Sequence, residues 1–453
     1  MRLSGINSLI ILLALATAPP SVAQQPTAPG TIPFEIYQLD NGLEVILAQD
    51  HSVPVVAVDV WYHVGAANER PGLTGFAHLF EHMMFQGSEN VEKGEHMQLV
   101  ERAGGSMNGS TAVDRTNYFE TLPANRLNLG LWLEADRMRS LAITAENLEN
   151  QREVVKEERR LRVDNAPYGV SIRSSLSTVP YNSETCFAYG HETIGSMDDL
   201  NAADPADVQR FFNVYYAPGN ATLAVVGDFD PDRVRTLIEE YFAEIPAGPP
   251  VPEVECEQPF SDLPVQKTFQ DANANLPALF LTYGLPAAGS PDVYPLRLLA
   301  AVLAGGESSR LHQRLVREEQ SALQVLSVPD FRKGPGILLI GAIANQGVEP
   351  AQIEAVVEEE LATVRAEGIS AAELEKAKNQ YRSQVIRQLQ TALGKAEALH
   401  QANMLYGDPA AVRTDLAKTL AVSLEDIQRV AVEYLTPDNR ATVITEPAPA
   451  AKE

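Results

Sequence analysis

Apolar and polar positions along this chain change period repeatedly, from two to nearly four. Phe34-Glu-Ile-Tyr-Gln-Leu39 alternates with period two, and Asp40-Asn41-Gly42 separates it from Leu43-Glu-Val-Ile-Leu47, which predicts a hairpin. Val55 to Tyr62 (VVAVDVWY) is apolar at nearly every position and predicts a strand buried on both faces. Gly104-Gly105 predicts a turn ahead of another strand. Helical spacing marks Leu148 to Arg162, Val234 to Phe242 and Glu373 to Leu405. Strands and helices alternate without a Gly-rich phosphate loop, so the pattern predicts an α+β protein.

The pattern also repeats. Tyr216-Ala-Pro218-Gly-Asn220 followed by ATLAVVG returns as Leu435-Thr-Pro437-Asp-Asn439 followed by RATVIT, and an amphipathic helix leads into each copy. Pro218 to Pro437 and Asn220 to Asn439 share an offset of 219 residues, which points to an internal duplication. Ala278 to Tyr283 is the expected counterpart of the Val55 strand. Between the copies, residues 246–264 carry six prolines and read as a linker. The expected organisation is two homologous α+β domains of sandwich type, residues 33–245 and 265–447. A length of 453 residues agrees with two cores of about 200 residues each.

Residues 1–23 form a different unit. Arg2, the apolar run Leu9 to Ala16 and Ser21-Val22-Ala23 make a secretory signal with a small-residue cleavage site. The run is too short to span a bilayer. Export is therefore expected, to the periplasm in a Gram-negative cell, with no membrane span after cleavage. Removing the signal takes one arginine and no acid, moving the net charge from −25 to −26. Such a field disfavours nucleic acid and anionic lipid as partners. Cys186 and Cys256 are the two cysteines; they fit no zinc-ligand spacing, and an oxidising compartment would allow them to pair.

The chemistry concentrates in GFAHLFEHMMFQ. Thr74 is suited to cap a helix reaching about Gln86, with Gly87 at the C-terminal turn. Its apolar residues leave almost no polar face, yet it holds two histidines and a glutamate, which are costly to bury unpaired. At about 100° per residue, His78 and His82 lie about 40° apart, and Glu81 lies about 60° to the other side of His78. Two imidazoles at that spacing can chelate one zinc, and Glu81 then sits beside the metal as a proton acceptor. A third protein ligand has to come from elsewhere. The charged helix from Asn150 to Arg160 offers Glu153, Glu157 and Glu158, which spacing does not separate; ion pairs such as Glu153–Lys156 and Glu157–Arg160 compete for them. His51, His63, His96, His191, His312 and His400 lack a comparable setting and read as surface or packing residues.

His78-Leu-Phe-Glu81-His82 is the H-x-x-E-H motif. With Gly75 to Ser88, Gly104 to Thr111, Tyr118, Gln151 to Glu158, Tyr189-Gly190, Gly195 and Pro218 to Asn220, it resembles the pitrilysin family of zinc peptidases. That family includes insulin-degrading enzyme and the mitochondrial processing peptidase, and the likeness runs along nearly all of the mature chain. The resemblance implies one zinc per chain held by His78, His82 and Glu158, with Glu81 as general base. It implies peptide substrate added as a strand near Gly105, Asn108 and Thr111. Gln151 stands where the family often has a second glutamate. The family's substrate-holding arginine and tyrosine, seven residues apart, are incomplete: anchoring on Ser309-Arg310-Leu311 gives Val316 and Leu323, and a one-residue shift gives Arg317 and Gln324. The resemblance therefore suggests a zinc endopeptidase acting on peptides or unfolded segments, paired with a homologous subunit that carries the arginine and tyrosine, or else a homodimer. Two alternatives are a maturation factor with one dedicated substrate and a noncatalytic scaffold subunit.

Overall fold

The structure, a computed structural model, describes residues 32–448; the signal expected at residues 1–23 lies outside them. Six strands form the first sheet: β1 (Glu35–Gln38), β2 (Glu44–Gln49), β3 (Val55–Tyr62), β4 (Ser106–Thr111), β5 (Thr116–Pro123) and β6 (Ala221–Gly227). Their spatial order is β1-β2-β6-β3-β5-β4. The second sheet holds β7 (Val265–Asp271), β8 (Ala278–Ala287), β9 (Ala322–Asp330), β10 (Pro335–Ala344) and β11 (Arg440–Pro447), in the order β7-β11-β8-β10-β9. Superposing β2-β6-β3-β5-β4 on β7-β11-β8-β10-β9 matches every strand in sense. The first pair of each set is parallel and the other pairs are antiparallel. The architecture is thus the two-domain α+β arrangement that the sequence pattern predicts.

The repeat has a local physical basis. Asn220 Nδ2 donates to the Tyr215 carbonyl at 2.8 Å, closing the preceding helix against the start of β6. Asn439 Nδ2 makes the same 2.8 Å bond to Tyr434 before β11. All four residues obey the 219-residue offset. The asparagines satisfy a carbonyl that the helix end would otherwise leave open.

Each half lends a helix to the other. Helix Gly169–Leu176 lies on the second sheet, where Ile172 and Leu176 pack with Phe280, Ala441 and Val443. Helix Ala392–Tyr406 lies on the first, burying Ala392, Ala396 and Leu399 against Ile46, Ala57, Ala224 and Val226. This explains why β3 is apolar at nearly every position: Val56, Val58, Val60 and Tyr62 fill the main core, while Ala57 faces the borrowed helix. It also corrects the reading of Glu373 to Leu405 as one helix. The chain breaks between Ala371–Gln388 and Ala392–Tyr406, and Thr391 starts the second segment by accepting from Gly394 N at 3.0 Å. The break frees the second segment to cross over. No helix or strand occupies the proline-rich stretch between Phe242 and Val265. Cys256 within it is disulfide-bonded to Cys186.

Candidate active site

The H-x-x-E-H segment forms helix Phe76–Met83, shorter than the sequence suggests, and Phe76, Ala77, Leu79, Phe80 and Met83 are buried. Gly75 begins it with φ of +85°; a Cβ there would meet Ile194 O at 2.6 Å. Thr74 is not the cap. Its hydroxyl donates to Asp199, while the buried Glu69 carboxylate accepts from Gly75 N and Ala77 N, both at 2.8 Å. A carboxylate at this position also opposes the positive end of the helix dipole. His191 donates to Glu69 from Nε2 (3.0 Å) and faces the Phe187 carbonyl from Nδ1 (2.7 Å). Burial opposes charge on His191, but the Glu69 partner outweighs it and raises the pKa.

His78 and His82 sit one turn apart, with ring centroids 4.9 Å apart and the rings edge to face at 78°. Helix Ala145–Arg159 brings Glu158 to them: Glu158 Oε2 lies 3.7 Å from His78 Nε2 and 3.3 Å from His82 Nε2. One ligand atom from each residue falls within 4.8 Å of the others. Ligands of a tetrahedral zinc at ordinary bond lengths sit about 3.3 Å apart, so this donor set has the chemistry and the spacing for the ion. Burial and the neighbouring His82 hold the His78 pKa below its ordinary value, favouring the neutral ring that a metal requires. Glu158 Oε1 is taken by Arg162 at 2.7 Å. Glu153 pairs instead with Lys156 (2.6 Å), and Glu157 turns away to Arg160 (3.0 Å). Gln151 is buried on the inner side of the same helix and donates to Asn150.

Glu81 belongs to the same cavity but not to the ligand cluster. Its Oε2 accepts a 2.6 Å hydrogen bond from Thr111 Oγ1, on the edge strand β4. The sequence places Thr111 among substrate-binding residues; the structure gives it a bond to the general-base candidate. Thr111→Val should therefore lower kcat about tenfold, by loosening the carboxylate, while zinc content stays unchanged. Metal analysis beside steady-state kinetics checks this, and an unaltered kcat would remove Thr111 from the catalytic apparatus.

The cavity measures about 810 Å³ and takes its walls from both halves. His78, Glu81, His82 and Glu158 form one side, Asn108 to Arg115 the hairpin, and Phe331, Glu397, Gln401 and Met404 the side from the second half. Gly105 is not in the wall; a Cβ there would meet Thr121 O and Leu122 Cδ2 at 2.6 Å, so packing requires the glycine. Neither Arg317 nor Gln324 reaches the cavity. His312–Glu318 forms a π-helical stretch, and Arg317 within it pairs with Glu307 on the surface.

The remaining histidines divide. His51 is exposed beside Asp228, whereas His400 is buried and stacked on Trp61. His96 is buried with Glu120 and Glu134, also close enough together to hold an ion. There Arg137 already supplies the positive charge, bonding Glu134 and lying 3.5 Å from Glu120. Sequence periodicity gave no signal for that cluster, because its members come from three separate elements.

Comparison with known proteins agrees with the geometry. Residues 44–176 match the family model Insulinase (Peptidase family M16), and residues 202–381 match the Peptidase M16 inactive domain. The zinc protease PqqE of Helicobacter pylori is 29% identical over 98% of both chains. A crystal structure of a protease from Helicobacter pylori superposes with a TM-score of 0.86 at 29% identity, covering 92% of this chain and 100% of that one. The probable zinc protease PqqL of Escherichia coli is 33% identical across 222 residues, 47% of this chain and 23% of its own. With the two sheets, the exchanged helices and the His78, His82 and Glu158 cluster in place, this chain belongs to the M16, or insulinase, family of zinc peptidases.

Proposed function

We propose that this chain is a zinc-dependent endopeptidase that hydrolyses peptides or unfolded segments. One observation carries the reading: three metal-ligand side chains converge beside a carboxylate that a neighbouring strand holds in place. His78, His82 and Glu158, which line the cavity, would hold one zinc. A zinc ion there supplies Lewis acidity, which polarises a scissile carbonyl and makes water more acidic. Glu81, oriented by Thr111, takes the proton from the attacking water and returns it to the leaving amine. β4 ends its sheet, so its outer backbone edge is available for an extended peptide to add as a strand. Asn108 lies on that strand and in the cavity wall. A noncatalytic scaffold would have no use for the Thr111–Glu81 bond.

The signal-like leader, and a disulfide suited to an oxidising compartment, support a periplasmic location. The Escherichia coli protein PqqL, which shares the fold, is a periplasmic protease. Because Val316 and Leu323, or Arg317 and Gln324, fail to complete the arginine–tyrosine pair, the active form is proposed to be a heterodimer with a homologue that supplies it. The test is cleavage of a peptide library by the purified zinc-loaded chain, before and after adding that partner. Stimulation of at least about tenfold is expected, since positioning contributes several kcal/mol to such barriers. Full activity alone, unchanged by the partner, would leave a self-sufficient homodimer. Cleavage of a single native protein and of no library peptide would instead favour a dedicated maturation factor.

A further inference from the structure

The β4–β5 hairpin has two faces, and only one serves Glu81. Thr111 reaches across to the H-x-x-E-H helix. Ser110 and Asn117, directly opposite each other in the hairpin, bond one another on the side of the borrowed helix Ala392–Tyr406. Asn117 Nδ2 donates there to both Asp59 Oδ1 and Glu397 Oε1, at 3.2 Å each. Arg115 completes this wall. Its Nη1 donates to Ser110 O (2.8 Å) and Asn117 Oδ1 (2.9 Å), and also bonds Ser110 Oγ. Its guanidinium lies 4.9 Å from the centre of the Trp61 ring, on which His400 is also stacked.

Arg115 is therefore held rigidly, but through one nitrogen. Among the described residues, Nε and Nη2 make no hydrogen bond, and no carboxylate oxygen lies within the 4.0 Å of an ion pair. The charged groups that act on it are Glu397, Asp59 and Glu81. Burial raises the pKa of Asp59 well above the usual carboxylate range, and burial also raises that of Glu397. Those two acids thus neutralise the guanidinium weakly. Arginine itself stays charged in such a setting.

A peptide added along β4 would send alternate side chains to the two faces of the sheet. Those on the zinc side meet His78, Glu81 and Glu158; those on the other side meet the wall containing Arg115, Gln401 and Met404. We propose that Arg115 is a carboxylate-binding subsite, which reads an acidic side chain or the free C-terminal carboxylate of the bound peptide through Nε and Nη2. The inference rests on the peptidase reading for its ligand, and it gives the second half a part in substrate choice.

Binding to the Glu81→Gln chain tests it without depending on turnover. Fluorescently labelled peptides of one sequence are compared by anisotropy, with Glu or Gln at each position in turn and with free or amidated C-termini. One carboxylate is expected to tighten binding about tenfold over its amide, as charge-assisted bidentate bonds do. A single sensitive Glu position assigns the side chain as the source; sensitivity to amidation assigns the terminus. Adding Arg115→Met should bring that ratio to about one, and Arg115→Lys, which keeps the charge without the fork, should leave an intermediate ratio. Thermal unfolding of both variants reports on folding, and the Lys variant carries the test should the Met variant fail to fold. Equal affinities for every pair, or a ratio that survives in Arg115→Met, would overturn the subsite. Absence of cleavage by the unaltered chain would instead count against the peptidase reading.

Discussion

Replacing Glu81 by glutamine is expected to leave about one zinc per chain in place and to reduce peptide hydrolysis by about a thousandfold. The amide keeps the shape of the carboxylate, and Thr111 Oγ1, 2.6 Å away, can still donate to its oxygen. What the amide lacks is a basic site for the proton of water. Because Glu81 stands outside the trio formed by His78, His82 and Glu158, metal content should not follow activity. Elemental analysis and a fluorogenic peptide, measured on the same sample, read the two properties separately. If the variant kept a tenth or more of the normal rate, another group would have to be the base.

The second large effect falls on the metal itself. Glu158→Gln is expected to weaken zinc binding by more than about a hundredfold, since even outer groups around a metal account for ten- to hundredfold. Glu157→Gln, one residue earlier, should leave affinity within about twofold. The two carboxylates face about 100° apart on the helix. Glu158 points to His78 and His82, whereas Glu157 is exposed and paired with Arg160 at 3.0 Å. His82→Ala should match Glu158→Gln. Competition with a chelating dye gives each affinity directly. Retention of tight binding by Glu158→Gln, with loss in Glu157→Gln, would shift the ligand assignment by one position.

How much was legible beforehand depended on the distance over which each signal acts. The H-x-x-E-H helix, the hairpin at Asp40-Asn41-Gly42 and the repeated turn at Asn220 and Asn439 are local, and periodicity or turn chemistry exposes them. Glu158 was readable only through family likeness, because a charged helix holds several equivalent carboxylates. Thr74 fails as the cap on the H-x-x-E-H helix for a related reason. Glu69 is near in sequence but reaches Gly75 and Ala77 through a loop whose path no short pattern encodes.

The sequence by itself determined the alternation of elements, the duplication and the pairing of two imidazoles with Glu81 on one helix. Each follows from dihedral preference and side-chain period over a few residues. Only the tertiary structure decided that the halves exchange helices, that Thr111 orients Glu81, and that Arg115 and Glu397 face one cavity from different halves. Burial drove those outcomes: Ala392, Ala396 and Leu399 find their apolar partners on a sheet more than 160 residues away in sequence, and carry Glu397 to the hairpin with them.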